Sequence, residues 1–125
     1  MDKTTHNISN QFMWGDGLLI TPVVKPGARN VRGYFPASTL PDSTRITVWY
    51  ELRTGARVVG GSWVDLPAPL EFIPLHVRSG SILPMQTHAQ NTVLAYVLQK
   101  FQYFLVCTSK ICLYSNNHFT NFYNR

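Results

Sequence analysis

Glycine and proline divide the middle of this chain into short segments. The 125 residues contain eight glycines and eight prolines. The segments between them are rich in β-branched and aromatic residues, which favour strands. Short runs of this kind, separated by frequent turn residues, predict an antiparallel β-sandwich. The predicted strands are Asn30–Phe35, Ile46–Leu52, Arg57–Val59, Ser62–Leu66, Ile73–Arg78 and Ser81–Leu83.

An almost wholly apolar run, Leu18–Val24, precedes these segments. A continuous apolar run indicates a strand that is buried on both faces, as the strands of parallel barrels are. Pro22 has no amide hydrogen to donate to a neighbouring strand, so we expect it near the end of this one.

Five sequence blocks carry a family resemblance. They are Gln11–Val23, Gly33–Pro36, Trp49–Gly55, Trp63–Leu70 and Ile73–Gln86. In this order the blocks closely resemble the rear part of enzymes of glycoside hydrolase family 31, a family of α-glucosidases. The resemblance extends from Gln11 to Gln86 and fades beyond it.

The resemblance implies a mainly β fold with three parts. Residues 1–24 would hold a polar N-terminus and the last strand of the family's (β/α)8 barrel. Residues 25–88 would form the proximal C-terminal β-sandwich, and residues 89–125 would be a tail outside the family pattern. On this interpretation the chain is a C-terminal fragment of a family 31 enzyme.

The tail carries no family motif, and its pattern leaves two structures open. Five residues fit the apolar face of a helix, whereas Tyr103–Cys107 has the composition of a strand. We therefore expect an irregular or partly helical tail. The helical face would consist of Leu94, Val97, Leu98, Phe101 and Leu105.

The chemistry that the resemblance implies needs two carboxyl groups. In a retaining glycosidase one attacks the anomeric carbon and the other protonates the leaving oxygen, roughly 5 Å away. The family's nucleophile lies in a motif like Trp-x-Asp-Met-Asn-Glu, which does not occur in this sequence. We therefore predict no catalytic residue in the chain. Its acids are Asp2, Asp16, Asp42, Glu51, Asp65 and Glu71.

The remaining polar candidates have structural interpretations. We predict that Asp16 and Glu51 organise turns or strand edges, and that Asp65 and Glu71 face solvent. His76 alternates with Leu75 and Val77, which predicts a half-buried strand histidine rather than a base or ligand.

Aromatic side chains are the residues that could contact a sugar directly. Trp14 and Trp49 are the weak candidates for substrate binding, and Tyr50 and Trp63 share the same chemistry. Buried aromatics more often form cores and interfaces. Trp49 and Tyr50 are adjacent on a predicted strand and must face opposite sides, so we expect one in the core and the other toward the barrel.

Metal and cofactor sites are not predicted. Cys107 and Cys112 are the two cysteines, and a structural zinc site needs four ligands. Free thiols are favoured, and a short-loop disulfide between the two cysteines remains an alternative.

Charge and hydropathy exclude two classes of partner. The net charge is +5 without a basic run, so nucleic-acid binding is not predicted. No apolar stretch approaches the ~18–20 residues of a membrane-spanning helix. The resemblance implies a protein that is secreted, lysosomal or resident in the secretory pathway, yet no signal segment is visible, so the compartment stays open. The oligomeric state also stays open. Asn7-Ile8-Ser9 is a glycosylation sequon that matters only in the secretory pathway.

Three interpretations of function remain. In the first, the chain is a structural domain that braces the barrel of an α-glucosidase and is inactive alone, the α-glucoside substrate belonging to the intact enzyme. In the second, it is a stand-alone carbohydrate-binding or interaction module that presents Trp14, Trp49 or Trp63 to glycans. In the third, its unfamiliar tail marks a truncated gene model.

Overall fold

The fold is taken from a computed structural model of the chain. It describes residues 2–37 and 46–85 with their side chains. For residues 86, 101–106, 111–115 and 118–121 it describes the backbone alone. The described chain is mainly β, as predicted, and no helix in this part is long and apolar enough to cross a membrane. By its internal contacts the chain divides into two compact units, residues 1–79 and 80–125. The division predicted from the sequence, at residues 24 and 88, stays a prediction.

The first unit begins with a 3-10 helix, Lys3–Asn7, whose N-cap Asp2 accepts a hydrogen bond from the Thr4 amide at 3.1 Å. Seven strands follow. They are β1 (Phe12–Trp14), β2 (Leu18–Ile20), β3 (Asn30–Phe35), β4 (Val48–Glu51), β5 (Arg57–Val59), β6 (Ser62–Pro67) and β7 (Leu75–Arg78).

All neighbouring strands of the first unit run antiparallel. Five of them form a sheet in the order β1-β2-β7-β4-β5, and β3 pairs with β6 in a two-stranded sheet. Leu19 and Trp49 of the larger sheet form one buried cluster with Phe35 and Leu66 of the smaller one. The core therefore lies between two antiparallel sheets, as the predicted sandwich requires.

The interpretation of Leu18–Val24 as a barrel strand is wrong. Leu18–Ile20 pairs antiparallel with β1 on one side and with β7 on the other, whereas barrel strands run parallel. Leu19 and Ile20 point to opposite faces and both are buried. The apolar run therefore indicated burial on both faces correctly, but a central strand of an antiparallel sheet meets that condition equally well.

The second unit is a four-stranded antiparallel sheet in the order β11-β10-β9-β8. Its strands are β8 (Ile82–Gln86), β9 (Phe101–Val106), β10 (Ile111–Ser115) and β11 (His118–Asn121). The predicted partly helical tail is therefore wrong over residues 101–106, where the strand alternative for Tyr103–Cys107 is confirmed as far as Val106. Leu94, Val97, Leu98 and Cys107 lie outside the described residues.

Gly60 and Gly61 join β5 to β6 and connect three strands of the sandwich. The Gly60 amide donates to the Thr47 carbonyl at 2.8 Å, and the Gly61 amide donates to the Phe35 carbonyl at 2.6 Å. A Cβ atom at Gly60 would lie 2.9 Å from the Pro36 carbonyl oxygen and 3.0 Å from that of Thr47. Backbone oxygens cannot move aside as a flexible side chain can.

Gly60→Ala should therefore lower the free energy of unfolding by about 2 kcal/mol, because it forces an overpacked contact onto the backbone. Gly27→Ala is the comparison. Its φ of +74° is unfavourable for alanine, but a Cβ atom there meets open space, so the variant should lower the free energy of unfolding by only about 1 kcal/mol. Urea unfolding of both variants measures the difference, and a Gly60→Ala cost no larger than that of Gly27→Ala would contradict the clash.

Candidate functional site

The acidic side chains of the described residues lie on separate turns, strands and loops. Asp16 is exposed in the turn between β1 and β2, and Asp65 and Glu71 are exposed, as predicted. No group of three or more histidine, cysteine or acidic side chains among the described residues could hold a metal ion. Asp42 lies outside the described residues.

Glu51 is committed to the turn between β4 and β5. Its carboxylate accepts a hydrogen bond from the Thr54 amide. Its carbonyl accepts one from the Gly55 amide at 2.8 Å, and its own amide donates to the Ala56 carbonyl at 2.9 Å. The predicted role of Glu51 in organising a turn is confirmed.

His76 is more buried than the sequence predicted. It lies on β7 opposite Leu19 of β2 and Glu51 of β4, and only 1% of its surface is exposed. The Phe35 ring meets it edge to face at a centroid distance of 4.6 Å. The alternating pattern predicted one buried face, but the two-stranded sheet closes over that face completely.

The imidazole of His76 is neutral at physiological pH. Within the part of the chain that the structure describes, neither ring nitrogen has a hydrogen-bond partner, and both are buried. Burial lowers the pKa of His76 from 6.5 to about 4, and the nearby Glu51 charge only partly offsets that effect. A neutral ring packed against Phe35 acts as part of the core, which supports the structural interpretation of this residue.

A groove of about 630 Å³ opens beside His76 in the first unit. Arg53 stacks on Phe72 at one of its walls, with the guanidinium carbon 4.1 Å from the ring centroid. Asp65 and Glu71 add carboxylates to the lining. The ring nitrogens of His76 are inaccessible to solvent, so this groove does not present the imidazole to a ligand.

The three tryptophans occupy three different environments. Trp49 is 1% exposed, and its indole Nε1 donates to the Pro36 carbonyl at 3.0 Å. It packs in the core, which leaves no ring face for a sugar. Tyr50 is also buried, so the expected contrast between a core residue and an outward one does not appear. Trp14 and Trp63 are 74% and 43% exposed, and sugar contact by Trp14 stays a prediction.

Phe12 was not among the residues singled out from the sequence. It is 55% exposed and shares one face of the edge strand β1 with Trp14. Two aromatics at positions i and i+2 are the signal that could have found this pair. Asn7 is exposed in the 3-10 helix, and its glycosylation stays a prediction.

Comparisons with known proteins agree on one family. The family model described as the glycosyl hydrolase family 31 C-terminal domain matches residues 1–83. Intestinal sucrase-isomaltase of Rattus norvegicus is 40% identical over 95 residues, covering 75% of this chain and 5% of its own length. Lysosomal alpha-glucosidase of Bos taurus is 36% identical over 107 residues, covering 73% of this chain and 10% of its own length.

Solved structures give the same result. A GH31 alpha-xylosidase from a soil metagenome, complexed with xylose, matches with a TM-score of 0.56 and 34% identity. The match covers 64% of this chain and 11% of that one. A GH31 dextranase of Flavobacterium johnsoniae, complexed with glucose, covers 90% of this chain and 17% of its own, with a TM-score of 0.62. Its 21% identity supports the fold alone.

The chain thus spans a tenth or less of the length of the two curated relatives. Within that span the antiparallel sandwich, the matched family model and the identities of 36–40% coincide. The chain belongs to glycoside hydrolase family 31, and residues 1–83 correspond to that family's C-terminal domain.

Proposed function

We propose that this chain is a structural domain of a family 31 glycosidase, that it braces the catalytic barrel and that it is inactive alone. The observation that carries this proposal is the exposed aromatic pair Phe12 and Trp14 on the edge strand β1. The substrate of the intact enzyme would be a terminal α-linked glucoside, the class that the name of the bovine relative indicates.

The aromatic pair continues a face that is buried elsewhere in the same sheet. Phe12 lies opposite Ile20, and Trp14 lies opposite Leu18, which in turn lies opposite Val77. Ile20 and Val77 are buried, whereas the two aromatics are largely exposed. Contiguous exposed apolar surface of this kind marks a contact surface, since each ~100 Å² that it buries contributes roughly 2.5 kcal/mol.

The disposition of the acids supports the absence of catalysis. Glu51 is held by a turn, and Asp16 and Asp65 are exposed on different strands or turns. Retention requires two carboxyl groups facing each other at roughly 5 Å. A bracing domain needs no such pair, because its contribution is the apolar surface that it gives to its neighbour.

The experiment transfers residues 11–86 into the matching segment of bovine lysosomal alpha-glucosidase. We expect the chimera to release glucose from maltose and the isolated 125-residue chain to release none. In the chimera, Phe12→Ser together with Trp14→Ser should lower the thermal midpoint by about 2–4 °C, because the contact with the barrel loses apolar area.

Leu70→Ser is the matched control for that variant, because Leu70 is an exposed apolar residue on the loop before β7. It should leave the midpoint of the chimera unchanged. Two results would refute the proposal: glucose release by the isolated chain, or a β1 double variant whose midpoint matches that of the Leu70 variant.

A further inference from the structure

We propose that the outer face of the β3–β6 sheet, around Trp63, binds a pyranose ring of a neutral saccharide. The Trp63 platform consists of Arg32 and Tyr34 on β3 and of Trp63 and Asp65 on β6. This inference does not rest on the bracing role, because it concerns a different face of the first unit.

The pairing of β3 with β6 places the four side chains together. Tyr34 lies opposite Trp63, and Arg32 lies opposite Asp65. Cross-strand partners share a face, and residues two apart on one strand share it too. The neighbouring residues Phe35 and Leu66 point the other way, into the core. The platform is therefore the face of this sheet that points away from the core.

The Trp63 ring is held in place before any ligand arrives. The Tyr34 ring meets it at a centroid distance of 5.2 Å and a tilt of 51°. The Arg32 guanidinium carbon lies 5.6 Å from its centroid. Tyr34 is itself fixed, because its hydroxyl donates to the Asp2 carboxylate at 2.6 Å. An aromatic surface that is already positioned loses little side-chain freedom when a ligand binds.

The groups around the ring fit a sugar. A pyranose presents C–H groups on one face, which an aromatic ring attracts, and hydroxyls at its rim, which both donate and accept hydrogen bonds. Arg32 offers donors over the Trp63 ring, and its cross-strand partner Asp65 offers acceptors. The carboxylates of Asp65 and Asp2 disfavour ligands that carry phosphate, so we assign the platform to a neutral saccharide.

Trp14 provides a matched contrast within the same chain. It is the more exposed of the two rings, but its neighbours on the same face of the sheet are Phe12 and Leu18, which offer no hydrogen bonds. Trp49 is buried and bonded to Pro36. The three indoles therefore report on three different surroundings in one experiment.

The test is a titration of the full 125-residue chain with maltotriose, followed by the indole N–H signals in ¹H–¹⁵N NMR spectra. We expect the Trp63 signal to shift in a saturable way, while the Trp14 and Trp49 signals stay in place. In Trp63→Ala, maltotriose should no longer shift the backbone amide signals of the other platform residues. Asp65→Asn should weaken the affinity for maltotriose at least about threefold, while the spectrum shows an intact fold.

Three outcomes would overturn the proposal. They are no movement of the Trp63 signal at the highest soluble maltotriose concentration, a shift that moves Trp14 as much as Trp63, and a shift of Trp63 with adenosine but not with maltotriose. The last outcome would assign the platform to a planar aromatic ligand.

Arg32→Met, which keeps an apolar stem at the ring, should reduce the affinity for maltotriose without unfolding the sheet.

Discussion

Acidification from pH 7 to pH 4 should remove about 3 kcal/mol from the free energy of unfolding through His76 alone. The cause is burial, which holds the pKa of the folded imidazole at about 4, whereas the ordinary pKa of a histidine side chain is 6.5. In the unfolded chain the ring is free to take up a proton. In the folded chain a proton would place a charge beside Phe35 with no hydrogen-bond partner.

The sign follows from which state binds more protons. Between pH 6.5 and about 4 the unfolded state carries the proton on His76 and the folded state does not. Stability therefore rises with pH across this window. The contribution is present in full above pH 6.5 and is lost progressively as the pH falls to about 4.

Asp2 changes stability in a different window. The hydrogen bond from the Tyr34 hydroxyl is the main cause that lowers the pKa of Asp2 below 3.8. A carboxylate with a lowered pKa contributes stability above its unfolded pKa and loses it as the pH falls further. Its effect therefore appears at lower pH than most of that of His76, and the two windows overlap near pH 4.

His76→Leu separates this histidine from every other ionisable group. An apolar side chain of similar size removes two unpartnered nitrogens, so the variant should be at least as stable as the wild type at pH 7. Urea unfolding at pH 7, 6, 5 and 4 should show a shallower pH dependence in the variant by about 3 kcal/mol over this range. Equal pH dependence in both proteins would show that His76 is not a buried neutral ring.

The second large effect should come from Gln11→Leu, which we expect to lower the free energy of unfolding by about 2–4 kcal/mol. The Gln11 amide joins the two sheets of the sandwich. Its Oε1 accepts from the Tyr34 amide at 2.7 Å, and its Nε2 lies 2.8 Å from the Thr21 hydroxyl. Tyr34 and Thr21 are both buried. Loss of the Gln11 side-chain amide therefore removes a hydrogen-bond partner from the Tyr34 amide and from the Thr21 hydroxyl, away from water.

A graded variant distinguishes lost hydrogen bonds from lost packing. Gln11→Glu keeps an oxygen for the Tyr34 amide but loses the Nε2 donor, so its cost should lie between those of the wild type and Gln11→Leu. Ser9→Ala, at an exposed position two residues earlier, is the surface control and should be neutral. If Gln11→Leu costs less than about 1 kcal/mol in urea unfolding, the amide does not join the sheets.

The position of Gln11 also explains why Gly33, which lies in one of the family blocks, has no side chain. A Cβ atom at Gly33 would lie 3.0 Å from Gln11 Nε2 and 3.3 Å from a Leu66 methyl group. The absence of a side chain at Gly33 therefore leaves room for the amide that bonds to Tyr34. Sequence periodicity cannot reveal this requirement, because Gln11 and Gly33 are separated by 22 residues and meet only in the folded sandwich.

Several features followed from local chemistry. The turn residues Arg53-Thr54-Gly55 and Gly60-Gly61 placed the boundaries of β4, β5 and β6 close to their observed positions. The role of Glu51 in its turn was predictable for the same reason, because the hydrogen bonds that hold this turn link Glu51 to Thr54, Gly55 and Ala56. Contacts within a few residues are encoded where they occur, so a single sequence suffices to predict them.

The ordered blocks from Gln11 to Gln86 determined the family, and the punctuated β-rich segments determined a mainly antiparallel β architecture. Only the tertiary structure decided that Leu18–Ile20 pairs with β1 and β7 in the domain's own sheet, and that Trp49 and His76 are fully covered while Trp63 stays exposed. Alternation along a strand tells which side chains share a face. Which face is covered depends on strands brought together from distant parts of the chain, whose pairing no local pattern records.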